Sequence, residues 1–279
     1  MIPADENIRV EINGTEEAAV LKSEASSRNR QPPSDWTVWQ DAEIVAKFIG
    51  DRRSGILGGA EQLEVLCQLL PQPTGNGDSA RVLDLGCGDG ILLETVLHRW
   101  PGAQGVALDG SSAMLAKAAT RLAAFPPSAI HFVQADFNAP EWMEKLPYRA
   151  FDAIVSGFAI HHSEDERKHA LYAEIYTLLR PGGLFANVEH VASASPHGEQ
   201  LFEHAFALNL TRTRRAQGKE AQFEEVLNEI ANRLDKSANR LTPVETQLQW
   251  LRAIGYTDVD CYWKHYELAI LAGYKPQQD

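Results

Sequence analysis

Asp84-Leu85-Gly86-Cys87-Gly88-Asp89-Gly90 is the segment of this sequence best suited to hold a ligand. It follows a short apolar run and precedes residues with helical spacing. Gly86 and Gly88 permit a tight turn and let a ligand come close to the backbone. The spacing then separates one ligand class from another. A dinucleotide loop of the G-x-G-x-x-G type would need its third glycine at position 91. Ile91 stands there, and the glycine comes one residue earlier, at Gly90. That weakens a hydride-transfer reading. Asp109 ends the next apolar run, roughly 20 residues past the loop, where a carboxylate can accept from ribose hydroxyls. Asp136 follows a third run and can accept from an adenine amino group, and Phe137 beside it can pack on a base.

Proton chemistry has its own candidates. His161 and His162 follow a fourth apolar run. Histidine titrates near neutral pH and can take a proton from a hydroxyl or an amine. Glu189 and His190 end a fifth run, where Glu189 can orient a histidine or pair with a cationic acceptor. Local hydrogen bonding or packing competes with each of these roles. Arg240, Tyr262, Trp263 and Tyr266 are further candidates for an acceptor pocket, with core packing as the competing reading. No HxxxH or CxxC spacing occurs, so no metal site is expected.

These residues need a scaffold. Arg81–Leu85, Gly105–Asp109, Ile130–Val133, Phe151–Ser156 and Leu184–Val188 read as buried strands. Helical spacing lies between them, over Ile91–Trp100, Ser112–Ala124 and Arg167–Leu179, the last closed by Arg180-Pro181-Gly182-Gly183. Strands alternating with helices imply a parallel sheet with right-handed crossovers. That places Asp84, Asp109 and Asp136 at the carboxyl ends of successive strands, the edge where open α/β sheets bind ligands. Residues 197–240 are charged, helical and too long for a loop, so they read as an insertion after the fifth strand. Thr246–Ala253 reads as a last helix. Tyr256–Tyr262 and His265–Ala272 read as closing strands, with Trp263-Lys264 between them. Before the sheet, residues 36–50 and 60–70 read as helices. Residues 1–33 read as a disordered tail ahead of one domain over 34–279.

Several motifs in order carry a family resemblance. Val82–Gly90, Leu108–Leu115, Ala135-Asp136-Phe137, Phe151–Ser156 and Leu178–Gly183 resemble the ordered motifs of class I S-adenosylmethionine-dependent methyltransferases. The resemblance implies an α/β, Rossmann-like, seven-stranded, mostly parallel sheet with an antiparallel last strand and helices on both faces. It implies S-adenosyl-L-methionine as cofactor. The implied cofactor set is Asp84, Gly86, Cys87, Gly88, Asp109, Gly110, Met114, Asp136, Phe137, Ser156 and Gly157. Within it Gly86 and Gly88 face the methionine part, Asp109 the ribose, and Asp136 with Phe137 the adenine. His161, His162 and Glu189 are the catalytic candidates. Trp36, Trp39 and Arg52 would belong to a lid. A narrower likeness, at Val45–Ile49, Asp51–Ser54, Val244–Thr246, Gly255-Tyr256 and Cys261–Trp263, is to the carboxy-S-adenosylmethionine synthase group of tRNA-modification enzymes. That group holds the added carboxylate with an arginine, for which Arg233 is the candidate.

Bulk properties narrow the acceptor. A formal net charge of −12 over 279 residues argues against a broad nucleic-acid surface. Thr211–Arg215 is the one basic cluster, and a solvated helix face explains it. No apolar run reaches the ~20 residues that span a bilayer. Neither a signal sequence nor paired cysteine spacing is evident, so a cytoplasmic protein with reduced thiols is expected. The leading reading is methyl transfer to a small-molecule acceptor. Carboxy-S-adenosylmethionine synthesis and a non-enzymatic cofactor-binding protein are the alternatives, and a homodimer is compatible with either.

Overall fold

The computed structural model describes residues 36–50, 55–73 and 80–277. The expected 1–33 tail lies outside them, as do Arg52 and the Asp51–Ser54 part of the narrower likeness. The N-terminal segment is a 3-10 turn, Trp36–Gln40, followed by helices α1 (Ala42–Gly50) and α2 (Gly59–Leu69). The sheet strands are β1 (Arg81–Leu85), β2 (Gln104–Asp109), β3 (Ile130–Gln134), β4 (Phe151–Gly157), β5 (Leu179–His190), β6 (Thr257–His265) and β7 (Leu268–Tyr274). Between them run α3 (Ile91–Arg99), α4 (Ser112–Arg121), α5 (Asp165–Leu178), α6 (Pro196–Ala216), α7 (Phe223–Ala231) and α8 (Val244–Ile254).

The seven strands form one sheet in the order β3-β2-β1-β4-β5-β7-β6. β1 to β5 pair in parallel. β7 is antiparallel to both β5 and β6, so β6 runs with the other five. This is the expected sheet. Its central strands are buried along nearly their whole length because helices cover both faces. Side chains alternate between those faces. Val82, Val155 and Ala186 pack under Leu66 of α2 and Leu93 and Val96 of α3. Leu83, Ile154 and Phe185 pack under Tyr172 and Ile175 of α5 and Leu251 of α8.

Two expected details change. Arg180–Gly183 does not end the helix as a simple turn; it lies within β5. Leu179 pairs with Phe151 and Leu184 with Ala153, so residues 180–183 bulge out of the ladder. A Cβ at Gly183 would sit 2.9 Å from the Arg180 carbonyl oxygen, so only glycine closes the bulge. The second change concerns the closing hairpin. Strand pairing continues through Trp263 and Lys264, and the turn falls at Tyr266-Glu267, since His265 pairs with Leu268. Tyr266 takes a left-handed backbone, φ 53°, to make that turn.

The insertion has its own small core. Ser195 caps α6 by accepting from the Gly198 N–H at 3.2 Å, and Pro196 opens the helix. Leu210 of α6 packs against Val226 and Ile230 of α7. The basic cluster is absorbed here, with Arg214 paired to Glu229 at 2.9 Å and Arg215 donating to the Ala221 carbonyl. A 3-10 turn, Leu234–Ala238, then leads the chain back. Lys168 of α5, 1% exposed, holds that return. Its ammonium bonds Asp165 at 2.9 Å, the Thr242 hydroxyl at 2.6 Å and the Arg240 carbonyl. Beside it, the Arg240 N–H donates to the His161 carbonyl at 2.7 Å. Lys168→Met would strand the Arg240 and Thr242 oxygens. We expect it to lower unfolding stability by about 3 kcal/mol in a denaturant titration. A loss well below 1 kcal/mol would show that the clip does not hold the insertion.

Candidate active site

The loop after β1 is shaped by backbone geometry. Gly86 and Gly88 have φ of 69° and 54°, a region that favours glycine. A Cβ at Gly86 would lie 2.4 Å from the Ala159 Cβ, so the loops after β1 and β4 touch there. A Cβ at Gly88 would meet nothing within 4 Å, because that glycine borders open space. Asp84 anchors the loop by accepting the Leu93 N–H at 3.0 Å. Asp109 ties loop and second strand together. One carboxylate oxygen accepts the Gly88 N–H at 2.9 Å and the other the Ser111 N–H at 2.8 Å. Burial raises the Asp109 carboxyl to about 6, against the pull of those two N–H groups. Asp136 accepts from the Asn138 backbone at 2.8 Å and side chain at 2.9 Å. Arg167 fixes the neighbouring Phe137 by donating to its carbonyl at 3.1 Å.

These residues border a single cavity of about 680 Å³. Asp84, Gly86, Cys87, Gly88 and Asp109 line it, as do Gly110, Met114, Asp136, Phe137 and Gly157. Ser156 does not. It is fully buried, and its hydroxyl donates to the Leu85 carbonyl at 2.7 Å, joining β4 to β1. Reading Ser156 as a cofactor contact is therefore corrected to a strand-pairing role. Trp36 covers Gly110 so closely that a Cβ there would be 2.7 Å from the indole. Asp89, Arg121 and Asn138 also line the cavity and were missed in the sequence. Arg121 had no marker, since its partners Asp89 and Glu94 lie a full strand and helix away. An adenosyl sulfonium fits this set. Half-buried Asp109, the open backbone at Gly88 and the Phe137 ring offer such a ligand a carboxylate, a close approach and an aromatic face.

The other end of the cavity carries the histidines. His161 and His162 sit in the turn Ile160–His162, just past β4. His161 Nδ1 lies 2.7 Å from Glu189 Oε1. Glu189 is 1% exposed and stands behind the ring, off the cavity wall. Its Oε1 also accepts the His190 N–H at 2.9 Å, and its Oε2 accepts Asn187 Nδ2 at 3.0 Å. A carboxylate that accepts throughout assigns the proton to His161 Nδ1 and leaves Nε2 unprotonated. Among the described residues, Nε2 has no protein partner. Burial drives the His161 imidazole well below its usual range, helped by the charges of Lys168 and Arg233. The ring is therefore neutral at neutral pH. Burial pushes the Glu189 carboxyl up, and the Asn187 and His190 donors pull it back.

His162 differs. Its Nε2 accepts the Trp39 indole N–H at 3.0 Å, and its Nδ1 donates to the Ala238 carbonyl at 3.3 Å. Both nitrogens are engaged within the protein, and they join the N-terminal segment to the insertion. Lys47 of α1 reaches Glu229 of α7 across the same boundary at 3.2 Å. Arg233 and Asp235 line the cavity and pair with each other at 3.4 Å. Of the other acceptor-pocket candidates, none borders the cavity. Arg240 is buried against Glu164 at 2.8 Å. Tyr262 and Tyr266 are exposed on the hairpin, and Trp263 packs with Leu57. Among the described residues no cluster of three or more metal-ligating side chains occurs, the three cysteines are free thiols, and no helix is long and apolar enough to cross a membrane.

Comparison with known proteins bears on this geometry. Residues 82–183 match the family described as "Methyltransferase domain". An uncharacterized methyltransferase of Mycobacterium tuberculosis is 38% identical over 117 residues, 42% of this chain and 54% of the relative. A trans-aconitate 2-methyltransferase of Acidovorax is 38% identical over 106 residues, 38% of this chain and 36% of that one. The chain thus spans about half, or less, of the length of the curated relatives it matches. Among solved structures, an O-methyltransferase family protein from Burkholderia thailandensis superposes with a TM-score of 0.59 at 15% identity, covering 94% of this chain and 71% of that one. Human N-acetylserotonin methyltransferase in complex with its cofactor gives 0.55 at 16% identity, covering 94% and 66%. Residues 82–183 thus resemble a methyltransferase domain, and the fold is that of the solved methyltransferases. The narrower likeness to carboxy-S-adenosylmethionine synthases falls outside the matched residues 82–183.

The Asp109 carboxyl yields a pH test. Hydroxyl donors need its ionised form, and it becomes protonated as pH falls through about 6. Affinity for S-adenosylhomocysteine, read by calorimetry, should fall below that pH toward a limit of about tenfold per unit. Asp109→Asn should weaken binding roughly tenfold to hundredfold at pH 7.5 and flatten the profile. A wild-type profile flat between pH 5 and 7 would remove Asp109 from the cofactor contact.

Proposed function

We propose that this protein transfers the methyl group of S-adenosylmethionine to a hydroxyl oxygen of a small-molecule acceptor, with His161 taking the acceptor's proton. The observation that carries the reading is a neutral imidazole on the cavity wall whose Nδ1 is held by a buried glutamate and whose Nε2 has no protein partner among the described residues. When bound, the cofactor supplies a methyl group already activated by its sulfonium. The chain must then align the acceptor, exclude water and remove one proton. Nε2 of His161 accepts that proton. Glu189 is a positioning residue: it fixes the tautomer and stabilises the imidazolium as it forms. His162 and Trp39 close the wall behind the acceptor.

Cavity size favours a small acceptor. One space of about 680 Å³ must take both cofactor and acceptor, which suits a metabolite and not a macromolecule. A relative named for trans-aconitate is in keeping with a small-molecule acceptor. The expected absence of a nucleic-acid partner is retained on the same ground.

The test is release of S-adenosylhomocysteine from pooled small hydroxyl compounds. With both substrates saturating, His161→Ala should lower kcat by about 10²–10⁴ while cofactor affinity is retained. The acid limb of the kcat profile should lie below the usual histidine range, because burial lowers the His161 value. Activity is then held from neutral pH downward and lost only as pH falls through that lowered value. Glu189→Gln removes an anion that favours the imidazolium, so it should push the limb lower still and reduce kcat. Full activity in His161→Ala would sink the role of His161. A carboxylated adduct on the co-purified cofactor would redirect the assignment to carboxy-S-adenosylmethionine synthesis. Tight cofactor binding with no release from any pool would leave a binding protein.

A further inference from the structure

A second glutamate-backed histidine stands beside the first. His190 Nε2 lies 2.9 Å from Glu267 Oε2, and Glu267 is 3% exposed. Burial pushes the Glu267 carboxyl up, but hydrogen bonds from His190 and Ser193 outweigh it and hold the group below its usual range. The carboxylate therefore takes the Nε2 proton of His190 as its hydrogen bond. Nδ1 is left as an acceptor with no hydrogen bond among the described residues. The His190 and His161 ring centroids are 5.6 Å apart at 68°, and both rings line the same cavity. Two imidazoles thus line one wall, each with one nitrogen held by its own buried glutamate and the other without a hydrogen bond among the described residues. A single hydroxyl donates one hydrogen bond and satisfies one of them. Leaving the other unpaired in a closed site is costly, and such sites discriminate strongly against an analogue that lacks the second donor.

The surroundings are flat and apolar. Phe202 packs 5.2 Å from His190, and Phe206 lies nearly parallel to Phe202, at 9°. Both phenylalanines line the cavity. Arg233, the cation on this wall, is already paired with Asp235, so an anionic acceptor group has no unshared counter-charge there.

We propose that His190 is the second acceptor-binding residue, and that the acceptor is a planar compound with two adjacent hydroxyls, of the catechol type. One hydroxyl donates to His161 and the other to His190 Nδ1. The inference rests on the hydroxyl-methylation reading above and names the substrate class for that site.

Catechol and phenol share a ring and differ by the second donor. Their affinities are to be measured by calorimetry on the full chain saturated with S-adenosylhomocysteine, with EDTA present throughout. The wild type should bind catechol at least about tenfold more tightly than phenol. His190→Leu should abolish that preference and raise KM for catechol about tenfold, with a much smaller fall in kcat. His190→Gln, which returns an amide oxygen as acceptor, should restore part of the preference and guards against a folding defect. Equal affinity for the two compounds, or no detectable binding of either, overturns the inference. So does a preference that survives His190→Leu, or benzylamine binding more tightly than catechol. In each case His161-dependent release from other hydroxyl compounds would leave the underlying reading standing. Its failure is seen separately, as no release from any hydroxyl pool.

Discussion

The parallel pairing of β1 with β4 is the constraint on which the site depends. From β1 the chain order runs outward to β2 and β3 on one side, and from β4 to β5 on the other. Successive crossovers therefore leave in opposite directions, and a crevice opens above the carboxyl ends of the two strands. The crevice is narrow at its base because the loops that leave β1 and β4 touch, with Gly86 against Ala159. The topology divides the chemistry. Asp109 and Asp136, from β2 and β3, fall on one side of that contact. His161, Glu189 and His190, from β4 and β5, fall on the other. A donor half and an acceptor half meet over one pair of strands.

The acceptor half is stabilised by a buried polar chain. Gln247 of α8 donates to the Thr242 carbonyl at 3.0 Å and accepts the Tyr172 hydroxyl at 2.6 Å. Asn187 then donates both to Tyr172, at 3.1 Å, and to Glu189, at 3.0 Å. Glu189 completes the chain at His161. Burial pushes the Tyr172 phenol well above its usual range, so it remains a donor at any working pH. Elements α8, α5 and β5 thus converge on the orientation of one imidazole. Hydrogen bonds that run from one element to the next in this way fix the ring's orientation.

Much of the donor half was legible in the sequence because its determinants are local. Strand β1, the glycine spacing and Asp84 lie within ten residues, and strand-end acids are readable one at a time. Glu189 is 28 residues from His161, so its contact with a histidine stood as one of two readings, and Trp39 is 123 residues from His162, so that contact leaves no spacing at all. Ser156 and Gly157 were both read as contacts, but side chains alternate along the strand and of the two only Gly157 borders the cavity. The hairpin turn at Tyr266-Glu267 carries none of the Asn-Gly or Asp-Gly signals that mark such turns, and an aromatic residue takes the left-handed position instead. The β5 bulge was hidden for the opposite reason. Arg180-Pro181-Gly182-Gly183 is so strong a turn signal that it masked a strand resuming on both sides.

The matched methyltransferase domain ends at residue 183, and that boundary has a structural meaning. It encloses β1 to β4 and their loops, hence Asp84, Asp109, Asp136 and His161. It stops before the carboxyl end of β5, before the insertion and before the β6–β7 hairpin. Glu189, His190, Phe202, Arg233 and Glu267 all lie beyond it. The matched part carries the residues to which we assign the cofactor. The part outside it is built from a strand end, a helical insertion and a hairpin, elements that can vary without disturbing the β1–β4 contact. His161 joins the two, since it follows β4 inside the matched residues and is held by Glu189 outside them.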